Sequence, residues 1–283
     1  MGLVVAALAI LRGWAAAILG GLILLGTAAF LQDSPFQYAD VPLGFYYLGA
    51  FATFFLANTT NPGRGQPVIL TGLALGCAAW TKEEGLLFAA AAGIGFGTFL
   101  LACRKTEARR MLLLLASGAA IPLAITLCFR LFLAPATGAF SSLTLAAAAR
   151  KVIDFPRYVQ ILIACWHETV ALGSGIANPT VSIAVLAGCM GISTRRREPL
   201  VITSFAVWLA VALGYFFAYV LTPLDLTWHL GTALGRLYLH LWPSLIFLSL
   251  IVFRTPEETA MPLQPAQKAA RLPGKKGKKA RAG

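Results

Sequence analysis

Long apolar runs separated by short polar stretches are the feature that most constrains the fold of this chain. The 283 residues are 58% hydrophobic and 12% charged, with a mean hydropathy of +0.77. One soluble core does not require so much apolar surface, and a spanning helix needs about 20 apolar residues. The runs are continuous, whereas the strands of a transmembrane β-barrel alternate apolar and polar residues. The sequence therefore predicts an all-α, polytopic membrane protein.

We expect one transmembrane domain over residues 1–253, with about eight spanning helices. A shorter apolar piece, Gly2 to Leu11, precedes them and is interpreted as a partial N-terminal helix. In the third span, Gly72 and Gly76 form a small-xxx-small pattern, which predicts close approach of another helix. The predicted spans are residues 14–31, 41–58, 67–80, 85–103, 111–134, 176–193, 200–221 and 238–253.

The distribution of basic residues predicts the orientation in the membrane. Most of the 23 Lys and Arg lie on one side if the loops at Arg12, Arg64, 104–110 and 195–197 are cytoplasmic. Residues 254–283 join that side and are rich in Lys, Pro, Gly and Ala, which predicts a disordered basic cytoplasmic tail. Contact of this tail with membrane lipids remains open, and a nucleic-acid partner is not expected. Most carboxylates then lie on the exoplasmic side.

The stretch of about residues 141–175 is neither a clean span nor a polar loop. Residues 142–151 and 156–171 each suit an amphipathic helix, and Arg157 and Trp166 are typical interfacial anchors. We therefore expect an exoplasmic interfacial helical segment here, with an anchoring role.

Polar residues next to the predicted spans are candidates for function. Asp40 stands at the mouth of a spanning helix, where a carboxylate is costly to keep, although it could simply cap the helix that begins at Pro42. Lys82 lies beside Glu83 and Glu84 in a charged break between two apolar runs. Such a unit could hold a phosphate and orient a hydroxyl group, or it could be an ion cluster that satisfies itself.

A second group of candidates lies near the start of the last span. Asp225, Trp228, His229 and Arg236 have the chemistry of a site for an anionic or sugar-bearing headgroup. Anchoring in the aromatic belt of the membrane would account for Trp228 alone.

Two sequence blocks carry a family resemblance. YADVPLGFYYLGAFATFF is followed about thirty residues later by GLALGCAAWTKEEGLLF. The pair resembles the patterns (Y/T)-A-D-x-P-L-x-F and G-L-x-x-G-x-x-x-x-T-K-x-x-G-L of the GT-C membrane glycosyltransferases, in the branch of dolichyl-phosphate-mannose protein mannosyltransferases and their bacterial relatives. The closing LDLTWHLGTALGRLYLHLWP is similar to the end of bacterial members of that group.

The resemblance implies transfer of a sugar from a polyprenyl-phosphate carrier to an acceptor hydroxyl at the exoplasmic face of a bacterial inner membrane. Asp40 matches the acidic position of the second exoplasmic loop, and Lys82 matches the lysine of the T-K-x-x-G-L block. A carboxylate would act as general base, and cations would hold the departing lipid phosphate. A divalent metal remains possible, because the acidic position in some relatives lies near one.

From their chemistry, we assign the remaining candidates to the same reaction. Glu84 joins Asp40 as a catalytic candidate, and the candidates for binding the lipid phosphate are Lys82, Asp225, His229 and Arg236.

One departure from the family pattern keeps other functions open. Family members carry the principal catalytic Asp in a first exoplasmic loop, and no such loop precedes Gly2 to Leu11. The chain is thus expected to be either an N-terminally truncated part of a glycosyltransferase or a non-catalytic structural or assembly protein. A small-molecule transporter is a further alternative, although transporters place ionisable residues near mid-membrane and often show internal repeats.

Overall fold

The computed structural model describes residues 1–36, 38–60, 64–134, 144–172, 178–255 and 258–259. Within these ranges the secondary structure is helical, apart from one isolated bridge between Ile192 and Phe253. The all-α prediction is therefore confirmed. The α-helices are α1 (Gly2–Arg12), α2 (Trp14–Leu25), α3 (Ala28–Asp33), α4 (Asp40–Thr59), α5 (Gly65–Thr81), α6 (Glu83–Cys103), α7 (Ala108–Phe132), α8 (Leu145–Val152), α9 (Phe155–Ala171), α10 (Pro179–Met190), α11 (Pro199–Leu221) and α12 (Leu226–Val252).

Five of the described helices are long and apolar enough to cross a membrane, namely α4, α6, α7, α11 and α12. The other predicted spans are shorter: α5 has 17 residues and α10 has 12. The predicted span 14–31 is divided, because α2 ends at Leu25 and Thr27 is extended before the six-residue α3 begins. Several apolar helices thus support a membrane-embedded protein, with fewer full-length spans than the eight expected.

Charged residues gather at opposite ends of the helices, as the sequence predicted. At one end, Asp40 begins α4, and Arg130 in the last turn of α7 pairs with Glu83 at the start of α6. At the other end, Arg104 donates to Asn58 near the end of α4. We call the first end the Asp40 end. We call the second the Arg12 end, after the last residue of α1, which lies there.

The Arg12 end ties the start of the described chain to its last residues. Buried Arg12 donates to the Phe253 carbonyl at 2.6 Å and binds both carboxylate oxygens of Glu258. The guanidinium holds the pKa of Glu258 below its ordinary value. Most of the predicted tail, residues 256, 257 and 260–283, lies outside the described residues, so its disorder stays a prediction.

Helices α4 and α12 form the centre of the bundle. They approach so closely that a Cβ at Gly44 would lie 2.8 Å from the Leu239 carbonyl oxygen. Aromatic rings fill the space around them: Phe55 meets Phe247 edge to face, and Tyr47 stacks on Phe88 of α6. This tight centre fixes where the first turn of α4 meets α12.

Helices α5 and α7 cross each other in close contact at glycine residues on both helices. A Cβ at Gly72 would lie 2.0 Å from the Leu115 carbonyl oxygen, and one at Gly118 would lie 2.0 Å from the Ile69 carbonyl oxygen. Backbones can approach this closely only where side chains are absent. The predicted close approach at Gly72 is therefore confirmed, with α7 as the partner.

The predicted interfacial segment contains α8 and α9, close to the two amphipathic stretches expected. Helix α9 packs along α11 and α12 through polar contacts. Arg157 donates to the Val220 carbonyl at the end of α11, and the Tyr238 hydroxyl of α12 donates to the Cys165 carbonyl. Residues 135–143 and 173–177 of this region lie outside the described residues, and its location at a bilayer surface stays a prediction.

Replacing Gly72 with Ala should destabilise the protein by about 1–3 kcal/mol, because the new methyl group overpacks a helix crossing. Gly93 in α6 is a matched control, since a Cβ there meets nothing within 4 Å. Gly93→Ala should be neutral or slightly stabilising, because Ala is the better helix former. Unfolding of both variants in detergent tests this, and equal effects would contradict the close crossing.

Candidate functional site

A buried carboxylate organises the Asp40 end of the bundle. The Asp40 side chain is 2% exposed and accepts three hydrogen bonds from cationic or imidazole groups. Lys82 Nζ and His240 Nε2 each lie 2.8 Å from Oδ1, and Arg236 Nε lies 2.7 Å from Oδ2. Both carboxylate oxygens are thus occupied. We call Asp40, Lys82, Glu84, Arg236 and His240 the Asp40 cluster.

Asp40 does not act as the helix cap that the sequence left open. It is the first residue of α4, the capping position is Ala39, and no side chain makes a capping hydrogen bond there. The Asp40 side chain instead joins α4 to the α5–α6 connection and to α12. A carboxylate with such low exposure needs these partners, because an unpaired buried charge is costly.

The α5–α6 connection places Lys82 and Glu84 with little freedom. Lys82 is the extended residue between the two helices, and its Nζ also lies 3.4 Å from Glu84 Oε1. Gly85 permits this tight turn, because a Cβ there would lie 1.8 Å from the Ala78 carbonyl oxygen. The Glu84 side chain is 29% exposed, so a ligand can reach it.

Arg236 uses only part of its guanidinium on Asp40. Its Nε donates to Asp40, and the cation lies over the Tyr38 ring, 4.6 Å from the centroid. Among the described residues, the terminal NH2 groups of Arg236 make no hydrogen bond, and the side chain is 40% exposed. Arg236 therefore keeps donors free at the surface of the cluster, in a fork that suits phosphate or carboxylate oxygens.

A series of buried polar groups is hydrogen-bonded to the Asp40 cluster through His240. His240 Nδ1 lies 3.2 Å from the Tyr215 hydroxyl, which lies 2.9 Å from the Tyr47 hydroxyl. Tyr47 in turn donates to the Glu84 backbone carbonyl at 2.7 Å. The series links four helices and fixes the first turn of α6, where Glu84 lies.

Two sequence-predicted site residues lie outside the cluster. Asp225 caps α12 by accepting a hydrogen bond from the Trp228 backbone N–H at 2.8 Å. His229 Nδ1 lies 2.9 Å from the Thr222 hydroxyl, within the α11–α12 turn. At 1.5 Å per residue, His229 is about 10 Å from Arg236 along the axis and Asp225 about 16 Å. Their observed contacts stabilise this turn.

The sequence reasoning missed His240, Tyr215 and Tyr47. His240 had a signal, because it lies four residues after Arg236 and therefore on the same face of α12. The two tyrosines carried no such signal, since their pairing depends on how α4 and α11 pack.

An apolar cavity of about 390 Å³ lies between α9, α10, α11 and α12. Its walls include Tyr215, Tyr219, Trp242 and Leu245. Tyr215 also forms a hydrogen bond with His240, so this side chain connects the cavity to the Asp40 cluster. Across the described ranges, no group of three or more His, Cys, Asp or Glu residues is arranged to hold a metal ion.

Glu168 of α9 is a further carboxylate, and its side chain contacts the middle of α12. Its Oε1 would lie 3.0 Å from a Cβ at Gly235, the residue before Arg236. Burial and the neighbouring charge of Asp33 raise the pKa of Glu168. A raised pKa means that this carboxyl group binds a proton more readily than an ordinary Glu.

Asp40→Asn should destabilise the protein by about 3 kcal/mol or more, because it removes the carboxylate charge that pairs with a buried histidine and weakens the hold on two cations. Asp225→Asn is the matched control, since Asn caps a helix as well as Asp. Unfolding of both variants should separate them clearly. Equal stability of the two variants would contradict the cluster as described.

Comparison of the chain with protein-family models finds no match, and neither curated proteins nor solved structures provide one. The chemistry of the Asp40 cluster and its surroundings is therefore the basis for assigning a function.

Proposed function

We propose that this chain is a membrane glycosyltransferase of the GT-C type, or a part of one. In this proposal it transfers a sugar from a polyprenyl-phosphate carrier to an acceptor hydroxyl at the Asp40 end. The observation that carries the proposal is the convergence on Asp40 of Lys82, from the α5–α6 connection, and Arg236, from α12, with the partly exposed Glu84 beside Lys82. Phosphate-holding cations next to a candidate base are what this reaction requires.

The cations are suited to hold a lipid-borne phosphate. Asp40 orients both of them, yet Lys82 is 23% and Arg236 is 40% exposed. The free NH2 groups of Arg236 and the ammonium of Lys82 would stabilise the negative charge that develops on the departing phosphate. Because Asp40 keeps them in place before the ligand arrives, little ordering is needed on binding.

Glu84 is better placed than Asp40 to act as the general base. Asp40 is enclosed and accepts from three donors, which stabilise its charged form and so oppose uptake of a substrate proton. Within the described ranges Glu84 has one ionic partner, Lys82 at 3.4 Å, and its side chain is partly exposed. Of the two catalytic candidates from the sequence, we therefore assign Asp40 a positioning role and Glu84 the proton transfer.

The apolar cavity between α9 and α12 would receive part of the hydrocarbon chain of the carrier. Its lining is dominated by aromatic and aliphatic side chains, and Tyr215 connects its wall to the cluster. Because the carrier already lies in lipid, the cavity would hold it by van der Waals packing and shape rather than by a hydrophobic transfer free energy.

The proposal also places the protein in a bacterial inner membrane, with the Asp40 end exoplasmic and the Arg12 end cytoplasmic. The excess of basic residues at the Arg12 end supports this orientation. In this arrangement the shorter helices α2–α3, α5 and α10 complete about eight passes beside the five longer helices.

A structural or assembly role is the second candidate, and one observation favours it. The three donors to Asp40 satisfy both carboxylate oxygens without any ligand, as expected of an ion cluster that only joins helices. Such a role would require neither the exposed carboxylate of Glu84 nor the free donors of Arg236.

Glu84→Gln tests the proposal, with Glu83→Gln as the matched control. Glu83 is the adjacent carboxylate, but it is 63% exposed and pairs with Arg130 at 3.6 Å. Loss of a general base lowers turnover by about 10²- to 10⁴-fold. Consumption of polyprenyl-phosphate sugars by the purified chain in lipid should therefore fall for Glu84→Gln and stay unchanged for Glu83→Gln.

Two results would count against this function. Absence of sugar consumption by the unmodified chain across a panel of polyprenyl-phosphate sugars would favour the structural role. Full activity of Glu84→Gln would remove Glu84 from the mechanism.

A further inference from the structure

A series of hydrogen-bond contacts runs from Asp40 through His240, Tyr215 and Tyr47 to the Glu84 carbonyl. It has more contacts than these side chains, in their neutral forms, have protons to place in them. Four contacts run in series: Asp40 Oδ1 to His240 Nε2 at 2.8 Å, His240 Nδ1 to Tyr215 at 3.2 Å, Tyr215 to Tyr47 at 2.9 Å, and Tyr47 to the Glu84 carbonyl at 2.7 Å. Each hydrogen bond needs one proton between its two heavy atoms. The series therefore requires four protons.

The position of each proton follows from the end of the series. A backbone carbonyl can only accept, so Tyr47 spends its single hydroxyl proton on the Glu84 carbonyl. Tyr215 must then donate its own proton to Tyr47. The oxygen of Tyr215 is left as an acceptor for His240 Nδ1, which must carry a proton.

At the other end of the series, Asp40 requires a proton on the second ring nitrogen. Its two carboxylate oxygens accept from Lys82 and Arg236, so the group is ionised and can only accept from His240 Nε2. Two tyrosines and a neutral histidine supply three protons. The fourth is present only if both nitrogens of His240 are protonated.

We propose that His240 is held as an imidazolium ion by Asp40 and by the Tyr215–Tyr47 pair, and that it is a third cation of the Asp40 cluster. Burial opposes a charge on His240, which is fully enclosed. The nearby Lys82 ammonium opposes it as well, whereas the ionised carboxylate 2.8 Å away favours the charge and both N–H groups find acceptors. A neutral ring would instead leave one contact of the series, either His240 Nδ1 to Tyr215 or Tyr215 to Tyr47, with no proton between its two heavy atoms.

The other charges around His240 set the balance of the cluster. Asp40 faces it from α4, Lys82 and Glu84 from the α5–α6 turn, and Arg236 from one turn earlier on α12, while the hydroxyls of Tyr47 and Tyr215 are the uncharged neighbours. Three cations against two carboxylates leave one net positive charge. This consequence rests on the proposed function: the charge matches a singly charged phosphodiester, the group that joins a sugar to a polyprenyl carrier.

Nitrogen-15 NMR of the full chain in lipid nanodiscs, labelled at histidine, tests the proposal. The chain has only three histidines, and His167→Gln with His229→Gln leaves His240 alone for assignment. At pH 7.5 we expect His240 to show protons on both ring nitrogens. A neutral His240 in the unmodified chain would overturn the proposal, whatever the result for sugar transfer.

Two tyrosine variants test the cause. In Tyr47→Phe, Tyr215 is freed to donate to His240 Nδ1, and in Tyr215→Phe that partner is gone. Both variants should therefore convert His240 to the neutral form protonated on Nε2. Tyr219→Phe is the matched control, one turn along α11, because the buried Tyr219 hydroxyl has no hydrogen-bond partner among the described residues. Double protonation that persists in both Tyr47→Phe and Tyr215→Phe would show that the tyrosine pair does not hold the charge.

Discussion

The ion pairing of one buried carboxylate, Asp40, determines the arrangement of the Asp40 end of this bundle. A carboxylate removed from water is unfavourable unless its lone pairs are used, and here three donors from the α5–α6 connection and α12 use them. Because those donors belong to different elements, satisfying Asp40 brings the elements together. The same contacts place two partly exposed cations side by side at the surface.

The position of this interaction along α12 explains the shape of the surrounding site. Arg236 lies ten residues after the start of α12, so the N-terminal part of this helix extends about 15 Å beyond the cluster. Helix α9 packs against this extension, and Arg157 anchors it to the end of α11. The cluster therefore lies next to the base of a surface formed by α9, α11 and the first ten residues of α12. This is also why Asp225 and His229, which begin the extension, do not reach Asp40.

The sequence was informative where a physical constraint acts within one element. Long apolar runs predicted the helical class, and the cost of a carboxylate near lipid singled out Asp40 before any contact was known. Lys82 was found from its place in a charged break between two apolar runs and from its match to the T-K-x-x-G-L pattern. Gly72 predicted a close helix crossing, although only the structure identifies α7 as the partner.

Features that depend on packing between distant elements were not predictable from the sequence. His240 reads as a residue of an apolar helix until α4 is placed beside it, and the Tyr47–Tyr215 contact joins residues 168 positions apart. Five described helices have full spanning length, fewer than the eight spans expected, because hydropathy does not register the break after Leu25 or the short length of α10. The sequence also did not show that Asp225 and His229 lie about 10–16 Å from Arg236, because residues that follow one another in a helix are spaced along its axis.

A double-mutant cycle between Asp40 and Arg236 tests most directly whether this carboxylate holds the cations in place. The free energies of unfolding of Asp40→Asn, Arg236→Met and the double variant would be compared with that of the unmodified chain. The account predicts that the two single effects fail to add by at least about 1 kcal/mol, because each substitution removes the same contact. Effects that add to within about 0.3 kcal/mol would contradict it, since the two side chains would then stabilise the bundle independently.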